Sequence, residues 1–129
     1  MEINSSIARV DHSTEQLFSK LSSVETYRGL IPDGAVFTKI DDSRFRFKLG
    51  GMPEIGMVIV GKQPNESIML TSSSEKISFS LREKLTKISE TQTDVQLYFE
   101  GNFNPMMAMM IKKPLTKLIE SLIVNIHKL

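Results

Sequence analysis

The sequence has no cysteine, no tryptophan and only two histidines, and neither sign of charge is in marked excess. Without cysteine, disulfide frameworks, iron–sulfur clusters, thiolate zinc sites and thiol nucleophiles are excluded. His12 and His127 stand apart, with no second histidine or carboxylate at metal-ligand spacing, so no metal and no cofactor is expected. The longest plainly apolar run, Met106 to Ile111, falls far short of the ~20 residues that a membrane span requires. Met1 to Ser6 lacks the basic and apolar regions of a signal peptide, and a soluble cytoplasmic protein is the expectation. With 16 basic against 15 acidic side chains, the chain lacks the basic excess of a nucleic-acid binder.

What is present suits a self-sufficient core. The 129 residues are 40% apolar. A chain of this size exposes roughly 21,000 Å² unfolded and about 7,000 Å² folded by area scaling, so no covalent support is needed. No internal repeat, low-complexity tract or linker interrupts it, and residues 1–129 read as one domain. One compositional oddity stands out: of eight methionines, four fall between Met106 and Met110.

The periodicity divides the chain into three parts. Glu2 to Val10, with Ile3, Ile7 and Val10, reads as an edge strand. Ser13-Thr14-Glu15-Gln16 has the spacing of a capping box, and Leu17, Phe18, Leu21 and Val24 follow at helical intervals. The spacing predicts a helix from Ser13, a break near Ser22-Ser23, and a second short helix through Tyr27 that stops at Gly29 to Pro32. From Ala35 to Phe103 the period is two. Arg44, Arg46 and Lys48 alternate with Phe45, Phe47 and Leu49, and Asp41-Asp42-Ser43 supplies a turn that pairs this strand with Val36 to Ile40. A loop at Gly50 to Pro53 leads to strands at Ile55 to Gly61 and Ile68 to Ser72, and then to a long hairpin of Ile77 to Ile88 with Asp94 to Phe103. Asn104 as cap and Pro105 at the first helical position open a final helix, whose stripe runs through Ile111, Leu115, Leu118, Ile119, Leu122, Ile126 and Leu129. Pro114 within it predicts a kink or a short first helix.

Several patterns suggest chemistry and are answered by geometry. Gly56 to Lys62 has most of a P-loop's spacing, but its middle residues are strand-forming, Gln63 stands in place of the magnesium-binding hydroxyl, and Pro64 follows instead of a helix. The cations and rings of Arg44 to Lys48 resemble a base-stacking platform, yet strand alternation sends them to opposite faces. Lys112, Lys113 and Lys117 would suit an anionic membrane, but the stripe opposite them is needed to cover the sheet. No nucleophile elbow supports Ser/His/Asp catalysis.

Glu83 is more telling. Pairing Leu85 with Leu97 and Phe79 with Phe103 sets Glu83 on the inward face with Ile77, Phe79 and Leu81, opposite Phe99. Two readings stand: an inward carboxyl with Arg9, a hydroxyl or water as partner, or a β-bulge near Arg82 that turns it to solvent. The methionine cluster also has two readings, core filling or an adaptable cavity wall; its place at the start of a helix lying across a sheet favours the wall.

The order of elements, with Val10 to Pro32 ending in Leu30-Ile31-Pro32 and Gly101-Asn102-Phe103 leading into a long helix, resembles the START-like or Bet v 1-like superfamily, the polyketide cyclase/dehydrase and lipid-transport group. The resemblance spans almost the whole chain and rests on layout, since the motifs are generic. It implies an α+β helix-grip fold: a curved antiparallel sheet wrapped around the C-terminal helix, two short helices after the first strand, and an apolar cavity between sheet and helix. It implies a lipid, polyketide or other small hydrophobic molecule as ligand. No residue set carries over as catalytic. The candidate lining is Phe45, Phe47, Met57, Leu70, Phe79, Leu81, Leu97 and Phe99 from the sheet, Met106, Met110 and Leu118 from the helix, and Glu83 as the polar contact. The alternatives are an enzyme of the cyclase/dehydrase type using Glu83 as acid or base, and a protein-interaction module presenting Arg44, Arg46, Lys48, Arg82 and Lys84 without a ligand.

Overall fold

The computed structural model describes residues 1–50, 52–73 and 77–129. Gly51, in the expected loop at Gly50 to Pro53, lies outside the described residues.

Ser13 starts helix α1 (Thr14–Leu21) as its spacing requires: its Oγ accepts the Gln16 N–H at 3.2 Å, and the Gln16 Oε1 accepts the Ser13 N–H at 3.2 Å. These two bonds satisfy donors that a helix start otherwise leaves unpaired. A 3-10 helix follows at Val24–Gly29. Leu17, Leu21, Val24 and Tyr27, three or four residues apart, point the same way and are all buried.

Eight strands occur among the described residues: β1 (Glu2–Asn4), β2 (Ala8–Val10), β3 (Val36–Lys39), β4 (Arg44–Lys48), β5 (Ile55–Gln63), β6 (Ser67–Ser72), β7 (Phe79–Lys87) and β8 (Thr93–Gly101). They form one antiparallel sheet in the order β1-β8-β7-β6-β5-β4-β3, with β2 also paired to β8. The single first strand expected from Glu2 to Val10 is divided. Ser5, Ser6 and Ile7 stand against only Leu97 and Gln96, because Asn4 pairs with Tyr98 and Ala8 with Val95. The one extra residue reverses the alternation, since faces swap every residue along a strand. Ile3 therefore packs against the core, while Ile7 and Arg9 face solvent.

The long hairpin pairs Phe79 with Gly101, Glu83 with Leu97 and Leu85 with Val95. That register is two residues from the one the sequence suggested, and a shift of two leaves every side chain on its expected face. No bulge occurs near Arg82; besides the division of the first strand, the ladder loses step at Val60, between the Ile59 and Gly61 pairings. Gly101 is required at its place, because a Cβ there would overlap the Phe103 ring and crowd Phe79.

Helix α2 (Pro105–His127) is one continuous helix through Pro114, so the separate short first helix, one of the two expectations, does not form. Ile111 and Leu115 bury into the core on either side of the proline, so packing keeps the helix continuous despite one missing backbone hydrogen bond. Asn104 Oδ1 caps the start by accepting the Met107 N–H at 2.8 Å. The other end is fastened twice. Asn125 Nδ2 donates to the Leu30 carbonyl at 2.9 Å, and His127 Nδ1 lies 2.7 Å from the Arg9 carbonyl oxygen. The backbone of α2 comes closest to β2 and β8; over β4, β5 and β6 the interval is spanned by side chains. The sheet curves around α2 in an α+β helix-grip arrangement.

Candidate functional site

Glu83 enters the interior from the middle of β7, between Ile68 of β6 and Leu97 of β8. It is 1% exposed and its neighbours across the sheet are wholly apolar. A lone ionised carboxylate there would be strongly disfavoured, so the group needs a partner or its proton. Its partner is Tyr27 of the 3-10 helix, whose hydroxyl bonds Glu83 Oε1 and also donates to the Leu21 carbonyl at 2.7 Å. Arg9, the partner considered from sequence, instead pairs with Asp94 at 2.9 Å on the outer face.

The Leu21 carbonyl can only accept, and the Tyr27 hydroxyl has a single proton to give, to that carbonyl or to Glu83 Oε1. When it goes to Leu21, a proton on Glu83 bridges the contact with Tyr27 Oη, the arrangement that burial of the carboxyl favours. The carboxyl is then a neutral acid donating to Tyr27, which donates to Leu21. Burial favours the same state, pushing the Glu83 carboxyl up to about 8, whereas a Tyr27 hydrogen bond donated to the ionised form works the other way. Burial, and then the nearby carboxyl, hold the Tyr27 phenol well above its ordinary value, so it stays protonated as well. The remaining oxygen, Glu83 Oε2, is buried and has no hydrogen-bond partner among the described residues. Because Oε1 carries the proton, Oε2 is the carbonyl oxygen and accepts only.

Tyr27 stacks on Phe45 with ring centroids 5.2 Å apart, Phe45 on Phe37 at 5.3 Å, and the Arg28 guanidinium lies 4.6 Å over Phe37. This column reaches from the buried acid to the surface at the β3 edge. A small interior cavity of about 20 Å³ adjoins it, lined by Tyr27, Ile31, Phe45, Phe47, Met57, Leu70, Phe79, Leu81, Phe99, Leu118, Ile119 and Leu122. Such a space holds about one water, against the 300 Å³ or more of typical ligand sites. The interior is closed in this conformation. Larger concavities of about 400 and 610 Å³ lie on the sheet's outer face, open to solvent and bordered by Ser80 and Glu100; they are surface grooves on the side of the sheet opposite the acid.

Of the residues singled out in the sequence, the cavity brings together Phe45, Phe47, Met57, Leu70, Phe79, Leu81, Phe99 and Leu118. Glu83 stands behind Tyr27, and Leu97 is fully buried beside it without reaching the cavity. Met106 and Met110 are not in the lining. At 100° per residue the inward stripe of Ile111, Leu115 and Leu118 puts them on the opposite side of α2, where they are 76% and 69% exposed. Met107 is the methionine of that turn packed on the core. Tyr27 was missed as a site residue, although its spacing from Leu17, Leu21 and Val24 already turned it inward. Also unforeseen was a buried hydroxyl relay: Thr93 donates to the His12 carbonyl at 2.9 Å and so accepts from Thr14 at 3.1 Å, tying α1 to β8. The cations proposed for protein contact are partly engaged, Arg44 with Asp41 at 2.7 Å and Arg46 with Glu54 at 3.4 Å.

No protein-family model and no functionally curated protein matches the sequence. Solved structures do. A START superfamily protein from Mycobacterium smegmatis aligns with a TM-score of 0.65 and 17% identity over 98% of this chain and 97% of its own. A conserved protein from Geobacillus kaustophilus gives 0.72 at 14% identity over 99% and 93%. Norcoclaurine synthase from Thalictrum flavum, solved in complex with dopamine and hydroxybenzaldehyde, gives 0.72 at 12% identity over 99% and 84%. At these identities the likeness concerns the fold, and the fold is the START and Bet v 1-like helix grip.

Proposed function

We propose that this helix-grip chain binds a small apolar molecule carrying a hydroxyl or N–H donor, held between sheet and α2 with its donor on Glu83 Oε2. The observation that supports the reading is the orphaned acceptor of a buried acid whose hydrogen-bond partner, Tyr27, stands between it and an apolar, ring-lined cavity. Leaving such an oxygen unpaired costs about 1–3 kcal/mol, which a ligand donor would recover. Few polar groups in an apolar wall is also the general composition of ligand sites. Solved neighbours of the same fold include one holding dopamine and hydroxybenzaldehyde, which are small aromatic molecules.

Admitting such a molecule requires α2 to move away from the sheet. That motion is easiest over β4 to β6, where side chains alone bridge the interval and Met57 offers an adaptable, unbranched wall. The test is a thermal-shift panel of phenols paired with their methyl ethers. The phenol should stabilise the protein and its ether should not. Glu83→Gln, which keeps an acceptor at the Oε2 position, should retain the shift, and Glu83→Leu should abolish it. Equal shifts for phenol and ether would overturn the reading.

A second reading rests on the same acid. A carboxyl that titrates near 8 holds its proton at neutral pH and can deliver it to a bound substrate, the behaviour required of a general acid. Here Glu83→Gln separates the two: binding survives under both readings, whereas turnover of an identified substrate would be lost only if Glu83 transfers a proton.

A further inference from the structure

The methionine cluster that the interior does not use has a second place in the molecule. Met106, Met109 and Met110 are 76%, 84% and 69% exposed, three large apolar side chains together on the first two turns of α2. Helical geometry places them on one side, opposite the buried stripe of Ile111, Leu115 and Leu118. Lys113 and Lys117 continue that same outer line, Lys113 about 4.5 Å beyond Met110 along the axis at 1.5 Å per residue, and Lys112 flanks it. All three lysines are exposed and none belongs to an ion pair among the described residues. From Gly101 to Ile119 the sequence contains no acidic residue. The helix therefore carries two apolar surfaces: one facing the sheet along its length, and a tip facing out.

We infer that this tip is a docking surface for an anionic lipid membrane, with the three methionines entering the interface and the lysines resting on headgroup phosphates. Unbranched thioether chains sink into a disordered acyl boundary without needing a shaped partner. Lysine stems lie along the apolar surface while their ammonium groups stay at the headgroup level. Charge decides against a second copy of the chain as the occupant, because a two-fold pairing about the methionines would leave the lysines of both copies without anionic partners, whereas lipid headgroups supply them. The fastening of α2 also suits the role. Its C-terminal end is tied by Asn125 and His127, whereas the tip lies beyond Pro114, where one backbone hydrogen bond is missing. The inference does not depend on the interior taking a ligand.

The test is co-sedimentation of the full chain with phosphatidylcholine vesicles, with and without phosphatidylglycerol, at low and high salt. The chain should bind the anionic vesicles, release them at high salt, and ignore the neutral ones. Replacing Lys112, Lys113 and Lys117 together by glutamine should weaken binding about a hundredfold, the sum expected of three lysines near such a surface. Replacing Met106, Met109 and Met110 together by glutamine should weaken it at least tenfold at unchanged helical circular dichroism. A control pair on the sheet's outer face, Arg82→Gln with Lys84→Gln, should leave it unchanged. Failure to bind anionic vesicles, or binding that the methionine replacements leave intact, would overturn the inference. So would a concentration-dependent dimer in sedimentation velocity that those replacements abolish.

Discussion

At the scale of residues, the controlling feature is one proton. Glu83 keeps its proton in the folded chain until about pH 8, whereas an unfolded glutamate loses it near 4.5. Between those values folding takes up a proton, so the stability that Glu83 contributes is greatest below about 4.5, declines as pH rises to about 8, and levels off beyond. The decline amounts to a few kcal/mol, the conversion of that separation at 1.36 kcal/mol per pH unit. Thermal unfolding from pH 5 to 8.5 should show it, and Glu83→Gln should flatten the profile; parallel profiles would disprove a buried neutral acid. Tyr27→Phe should destabilise by about 2 kcal/mol or more, because it strands both Glu83 and the Leu21 carbonyl. A urea titration measures this, with an unchanged midpoint as the contrary result. Glu83 itself was readable from strand alternation, which depends only on parity and survived a register two residues in error. Its partner was not, because Tyr27 and Glu83 are 56 positions apart and only the packing of the 3-10 helix on β7 joins them.

At the scale of elements, local chemistry and packing pull apart at two places. The capping box at Ser13 and the Asn104-Pro105 start of α2 are local, and both helices begin where those residues direct. Pro114 is also local, yet the buried residues around it keep α2 continuous. Pro114→Ala should therefore restore the hydrogen bond to Met110 and raise stability by about 1–3 kcal/mol, read as an increase in melting temperature. A decrease would mean that the proline's geometry is itself required. The other divergence is the division of the first strand. Ser5 Oγ accepts the Leu97 N–H at 2.9 Å where the ladder loses step, a bond that a pattern of apolar residues does not reveal. The methionine cluster failed as a cavity wall for a related reason. Composition gave its character, but the helical phase set by Ile111, Leu115 and Leu118 decides which side it occupies.

At the scale of the molecule, curvature brings five elements to one closed interior: the 3-10 helix supplies Tyr27, β4 and β5 the rings and Met57, β7 the acid, and α2 the cover. The helix is tied at its C-terminal end and carries exposed methionines and lysines at the other. The account joins these by one motion, the lifting of α2 from β4 to β6, which would enlarge a 20 Å³ space into one that holds a ring-sized molecule. Native mass spectrometry of the freshly purified chain, with extraction and identification of anything retained, tests this most directly. The account predicts a non-covalent adduct bearing a hydroxyl or N–H, kept by Glu83→Gln and absent from Glu83→Leu. A bare chain mass that no member of the phenol panel increases would contradict it.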